Sequence, residues 1–165
     1  MKIQRFAKHM LTPHGQVKRA FSPKALLAIE TAIQASEASH AGEIRIAIEG
    51  ALDGSPLFKG QSPRERALDV FSHLRVWDTE NNNGLLIYVL LADRAVEIVA
   101  DRGIHSKVSS AVWQEICDEM KASFRQSQFE DAVLKGIHAV TRELTEHFPS
   151  RGARRNELSD EPALL

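Results

Sequence analysis

The feature that most restricts this chain is the apolar run at 85–91, Leu-Leu-Ile-Tyr-Val-Leu-Leu. It is reached through Asn81-Asn82-Asn83-Gly84 and left through Ala92-Asp93-Arg94. The run is less than half of the roughly 20 residues a helix needs to span a bilayer. It does not alternate, so it does not read as a strand with one wet face. A short unbroken run between two turn signals reads as a central strand buried on both faces. Such a strand needs helices above and below it, and 165 residues, 43% of them hydrophobic, suffice for one domain of that kind.

The flanking segments supply those layers. Glu43–Glu49 alternates with period two, its isoleucines on one side, and Ala95–Ala100 follows the Ala92-Asp93-Arg94 turn as an antiparallel neighbour of the central run. Ser22-Pro23 opens a helix striped by Leu26, Leu27, Ile29, Ala32, Ile33 and Ala35 and ending near 40–42. Ser62-Pro63-Arg64-Glu65 is a capping box ahead of the apolar face Ala67, Leu68, Val70, Phe71 and Leu74. Two further helices are expected at 106–122 and 129–147. The order predicts an α/β fold, a three-layer α/β/α sandwich around a small mixed sheet of about three to four strands. Its first two strands are parallel, through a right-handed crossover.

Charge divides the chain into an arm, a domain and a tail. Residues 1–20 hold Lys2, Arg5, Lys8, Lys18 and Arg19 and no acid; the first acid is Glu30. Ile3, Phe6, Ala7, Met10 and Leu11 fall at helical spacing until Thr12-Pro13-His14-Gly15 stops them, so 1–20 reads as a basic amphipathic arm. Its apolar side is expected either to cover the chain's own domain or to meet an anionic membrane surface through residues 2–11. The domain runs 21–149. Residues 150–165, with Arg151, Arg154, Arg155, Asp160, Glu161 and Pro162, read as a flexible charged tail. Over the whole chain 21 basic residues face 22 acidic ones, a balance that argues against a nucleic-acid partner. A single cysteine, Cys117, excludes an internal disulfide and reads as a small buried filler. With no secretory h-region near the start, the expected location is cytoplasmic, peripheral to the inner membrane where the arm binds lipid.

Several chemistries fail on inspection. No glycine-rich phosphate loop of the Walker type occurs. The thiol-phosphatase loop needs arginine six residues after its cysteine, and that place is Ser123. Asp78 begins a calcium-like run, but the EF-hand's glycine and final glutamate are replaced by Asn83 and Val89. Glu37-x-x-His40 is half of a di-iron spacing and reads as structural. What remains are the polar loops beside the hairpin, Trp77-Asp78-Thr79-Glu80 with Asn82 and Asn83, and Asp101-Arg102 with His105. A hairpin brings the start of its first strand and the end of its second to one end of the sheet, so these two loops should face each other. Carboxylate and amide oxygens suit a hard cation, and arginine suits an anion such as phosphate. Asn-Asn-Gly is also ordinary turn chemistry, so a purely structural role stays open.

At these same residues the chain resembles the TPM domain family, named for a thylakoid lumen protein, a photosystem II repair protein and a receptor-associated membrane protein. The likeness covers about 21–149. It is carried by Asn83-Gly84-Leu85-Leu86-Ile87-Tyr88-Val89, by Arg94, by Val99 with Gly103-Ile104, and by Phe124-Arg125-Gln126-Ser127-Gln128-Phe129 with Gly136-Ile137. Val76-Trp77-Asp78-Thr79-Glu80 and Val99-Ala100-Asp101-Arg102-Gly103 resemble its soluble stand-alone bacterial branch. The resemblance implies a small α/β sandwich, acid-phosphatase activity on phosphomonoesters, a divalent cation such as calcium, and service to a membrane protein complex. On that reading Asp78 and Asp101 are metal ligands or general acid and base, Glu80 is a further ligand and Arg102 clamps phosphate. Thr79, Asn82, Asn83 and His105 line the ligand. Asn82 stands where the family has aspartate and His105 where it has glutamate; an imidazole there favours a softer divalent metal than calcium. The alternative is a non-catalytic interaction module that docks on a membrane protein complex.

Overall fold

The computed structural model describes residues 2–13, 15–150, 152 and 155–165. His14 of the expected helix stop and Arg151 and Arg154 of the expected tail lie outside them, as does the side chain of Lys2. In chain order the elements are α1 (Lys2–Met10), α2 (Gln16–Ala20), α3 (Pro23–Glu37), β1 (Glu43–Glu49), α4 (Gly54–Phe58), α5 (Pro63–His73), β2 (Gly84–Leu90), β3 (Ala95–Ala100), α6 (Arg102–His105), α7 (Ser110–Arg125), α8 (Phe129–His147) and β4 (Ala163–Leu164). One sheet has the order β3-β2-β1-β4. β1 runs parallel to β2, with Glu43 beside Gly84, and β2 pairs antiparallel with β3, Leu85 beside Ala100.

Burial of β2 on both faces explains its unbroken apolar run. Leu85, Ile87 and Val89 meet Ile44, Ile46 and Ile48 of β1 and the helices α3, α7 and α8. Leu86, Tyr88 and Leu90 turn to the other face and meet Ala67 and Val70 of α5, Leu57 of α4 and Leu52. The expected three-layer α/β/α sandwich is therefore the observed one, and every residue of β2 is buried. The capping box forms as read: Ser62 Oγ accepts from Glu65 N at 3.2 Å and Glu65 Oε2 accepts from Ser62 N at 2.7 Å. Beneath α5 a charged group is buried on purpose. Arg66 donates through Nε and Nη2 to both oxygens of Glu49 at 2.9 Å, and Tyr88 OH donates to Glu49 Oε2 at 2.6 Å.

Four local expectations need correction. The segment 54–58, read as loop, is the short helix α4. Helix α7 starts at Ser110 rather than 106, because Asp101 caps a separate turn of helix, α6. The tail, read as flexible over 150–165, lies from 155 onward along the free edge of β1. Ala163 and Leu164 pair parallel with Ala47 and Ile48, Arg45 Nη1 donates to the carbonyls of Ser159 and Glu161, and Glu43 Oε2 accepts from Glu157 N and Leu158 N at 3.3 Å each. An open strand edge and a buried carboxylate both need donors, and the tail supplies them. Finally, of the arm's apolar stripe only Phe6 is turned inward; Ile3, Ala7, Met10 and Leu11 stay exposed. Its inward side is Arg5, Phe6 and His9, drawn to Asp93 in the β2–β3 turn.

Candidate functional site

The two polar loops do meet, and main-chain geometry is what joins them. After α5 the chain turns through Arg75 in the left-handed region (φ 52°), then Asp78 N donates to Arg75 O at 2.9 Å. Asn82 is also left-handed (φ 51°), a conformation asparagine tolerates, and Asn83 N donates to the Thr79 hydroxyl at 3.1 Å. Gly84 then passes so close to the 76 carbonyl that a Cβ would lie 1.9 Å from Val76 O; only glycine fits. From the other strand, Asp101 N donates to Gly84 O at 2.9 Å and Gly103 N to Asn82 O at 3.0 Å. A Cβ on Gly103 would lie 2.4 Å from Asn82 O. The loops are clamped backbone to backbone.

The side chains divide sharply. Asp101 Oδ1 accepts from Arg102 N at 2.7 Å, and Arg102 Nε donates to Asn82 Oδ1 at 3.0 Å, so aspartate, arginine and asparagine are brought together, each through one side-chain atom. Asp101 Oδ2 is buried with no hydrogen-bond partner. Thr79 and Asn83 are buried, and Asn83 donates through Nδ2 to Ala41 O. Trp77, Asp78, Glu80, Arg102 and His105 are exposed at the rim, with Glu80 N held by Glu157 Oε2 at 2.9 Å. Asp78, Glu80 and Asp101 do not form a set with all three ligand atoms within 4.8 Å of one another. Among the described residues the set of three side-chain ligand atoms within 4.8 Å of one another is Glu143, Glu146 and His147, on α8.

This end of the sheet is also lined by buried polar groups that the sequence reading set aside as structural or left unmarked. His40 Nε2 lies 2.8 Å from Ser36 Oγ, Glu37 Oε1 accepts from Ile44 N at 3.1 Å, and Glu43 N donates to Asn83 O at 3.0 Å. Glu37 therefore serves the start of β1, while His40 is held back to α3 through Ser36 and bridges to Pro149. The signal that could have found Glu43 is its place in the strand: it opens the alternation on the side with the polar residues, yet is fully buried.

The profile of the TPM domain matches residues 17–143. No curated protein matches the sequence. Among solved structures, the BA42 protein of the psychrophilic bacterium Bizionia argentinensis is similar at 28% identity and a TM-score of 0.76, covering 87% of this chain and 94% of that one. An N-terminal domain from P. gingivalis (20% identity, TM-score 0.62, 86% and 95% covered) shares the fold. So does the N-terminal domain of cg2496 from Corynebacterium glutamicum (14%, 0.58, 83% and 82%).

Proposed function

The chain belongs to the TPM domain family, and from that premise we propose that it works as a non-catalytic interaction module, presenting the end formed by 77–84 and 101–105 to a membrane protein complex. The observation that carries this is the use of the charged groups. Arg102 and Asp101, the residues a phosphatase would need, are engaged with Asn82 and with the α6 main chain. Trp77, half exposed, and the exposed Asp78, Glu80 and His105 form a rim around a clamped base, an arrangement suited to recognition without chemistry.

A second reading, a phosphatase-like domain with an anion or divalent-metal site, is favoured by two atoms, Asp101 Oδ2 and Asn83 Oδ1, both buried without a hydrogen-bond partner. Asp101 Oδ2 is a buried carboxylate oxygen without a partner, next to an exposed arginine. A calcium ion needs six to eight oxygens, and the loop end offers these two side-chain oxygens in place, with Asp78 and Glu80 in solvent. The donor set does not fit a resident ion, so no chemical step is assigned to one.

Turnover of p-nitrophenyl phosphate from acid to neutral pH, with magnesium, calcium or chelator, separates the two. The module reading expects a rate no greater than that of Arg102→Ala and Asp101→Asn. A divalent-dependent rate that both variants abolish overturns it. On the binding side, a photo-crosslinking residue at position 77 should give a discrete adduct in a membrane extract, lost on Asp78→Lys with Glu80→Lys. An adduct indifferent to those charges places recognition elsewhere.

A further inference from the structure

Helix α1 leaves most of its apolar side, all but Phe6, in water even though it is fastened to the domain. Arg5 donates to Asp93 Oδ2 through Nε at 2.9 Å, with Nη2 at 2.8 Å. His9 Nε2 lies 3.0 Å from Asp93 Oδ1, and its Nδ1 accepts from Leu52 N at 2.9 Å. That second bond fixes the tautomer: Nδ1 is the acceptor, so the proton sits on Nε2 and points at Asp93. These contacts set the rotation of the helix about its axis. With it set, Ile3, Met10 and Leu11 are 84%, 64% and 81% exposed. Beside Ile3 and Phe6 lies Phe58, at the end of α4 and 74% exposed, its ring 5.5 Å from that of Phe6. A cleft of about 300 Å³ between the two helices is lined by Ile3, Phe6, Leu57 and Phe58 together with Arg5 and Lys59.

Large apolar side chains gathered on one exposed face mark a docking surface. Charge decides what docks. No acid occurs before Glu30, and Lys8, Lys18, Arg19 and Lys59 are exposed. The acid that touches α1, Asp93, is matched by Arg5; the exposed acids on the α4 side are Asp53, ahead of the helix, and Glu65 and Asp69, which line a separate cleft beyond Lys59, while no acid lies on α1 itself. Apolar groups interspersed with unpaired lysines suit an anionic lipid surface. We propose that the α1–α4 face is a reversible membrane-docking surface, with Ile3, Met10, Leu11 and Phe58 entering the headgroup–acyl boundary and Lys8 and Lys59 meeting the headgroups. The polar bonds to Asp93 are part of the device. A helix that rolled its stripe inward would stabilise the fold and lose the membrane, whereas one held by Arg5 and His9 keeps the stripe outward. This surface uses neither of the clamped loops, so it stands or falls apart from the role assigned to them.

The test is sedimentation of the full chain with vesicles of phosphatidylcholine, with and without phosphatidylglycerol, at low and high salt. Binding should require phosphatidylglycerol and weaken with salt. Ile3→Asp with Phe58→Asp should reduce it about tenfold or more, and Lys8→Glu with Lys59→Glu by a similar factor. All four side chains are exposed, so melting temperatures should stay close to the parent's. Leu27→Asp, at an exposed position on α3, should bind like the parent. No binding at low salt overturns the proposal, as does parental binding by Ile3→Asp/Phe58→Asp, or equal binding to vesicles lacking phosphatidylglycerol. A parent that is a dimer in solution, does not bind vesicles and becomes monomeric in that variant assigns the face to a second copy of the chain and also overturns it.

Discussion

Replacing Gly103 by alanine tests whether the two loops are held by their backbones. Three effects compete. Alanine favours helix over glycine by up to about 1 kcal/mol, and Gly103 lies inside α6. Against that, its Cβ would stand 2.4 Å from Asn82 O and 2.9 Å from Asn81 O, both main-chain atoms that cannot swing aside as a side chain does. Forcing α6 off the 79–83 loop is an overpacking error of roughly 1–3 kcal/mol. Parting them also weakens the Gly103 N to Asn82 O bond, about 1 kcal/mol more. The clash wins, and the net loss is about 2 kcal/mol. In a domain of this length each kcal/mol moves the melting temperature by about 2–4 °C, so calorimetry should find a fall of about 4–8 °C. Gly15→Ala is the control, since nothing lies within 4 Å of a Cβ there. Arg102→Ala, which deletes only an exposed hydrogen bond, should cost less than about 1 kcal/mol. If Gly103→Ala melts at or above the Gly15→Ala temperature, propensity has outweighed the contact and the backbone clamp does not exist.

Other outcomes follow from the buried titratable groups. Burial, with Glu97 nearby, pushes the Cys117 thiol up to about 12, so native protein at pH 8 should react with a thiol reagent only as fast as it opens, and rapid labelling contradicts that packing. Glu49→Gln should destabilise by about 2–3 kcal/mol, since it breaks the two-pronged Arg66 bond, and Tyr88→Phe by only about 1 kcal/mol; denaturant titration giving the reverse order refutes the account of that network. Burial alone would raise the Asp93 carboxyl, but the hydrogen bonds from Arg5 and His9 outweigh it and hold it below its ordinary value. A depressed carboxylate stabilises above its unfolded pKa, about 3.9, and loses that as pH falls through the lower folded value. The protection of α1 amides against hydrogen exchange, corrected for the intrinsic pH dependence of the exchange rate, should therefore be unchanged from pH 7 to 5 and fall below about pH 4; a loss of protection that begins near pH 6 would point elsewhere.

The strands and long helices were legible because their signals are local. Period two in Glu43–Glu49, the unbroken run of β2 and the Ser62 capping box each act within a few residues. Facing loops were legible too, since a hairpin leaves no other place for 77–84 and 101–105. What could not be read is set by contacts far apart in sequence. Ala163-Leu164 is a strand only because β1 has a free edge, and Pro162 with charged neighbours hid it. The rotation of α1 is decided by Asp93, some eighty residues away, against its own apolar periodicity. At the loops the residue types were legible but not their engagement. That Arg102 Nε reaches Asn82 depends on Asn82 adopting a left-handed backbone, which places its Oδ1 beside α6.

A surface that binds gains from being held still before its partner arrives, because less freedom is lost on docking. The loop end meets that condition through atoms no side-chain substitution removes: the carbonyls of Val76, Asn82 and Gly84 and the amides of Asp101 and Gly103. Catalysis asks for something different, namely charged groups aimed at the place where charge develops and not yet committed. Asp101 and Arg102 each commit one atom, Oδ1 as the cap of α6 and Nε as a strut to the opposite loop. On the proposed interaction-module reading, partner specificity comes from the rim that the clamp leaves exposed, Trp77, Asp78, Glu80 and His105. The rim can change its side chains without disturbing the clamp beneath it, while Gly84 and Gly103 cannot change at all without moving it.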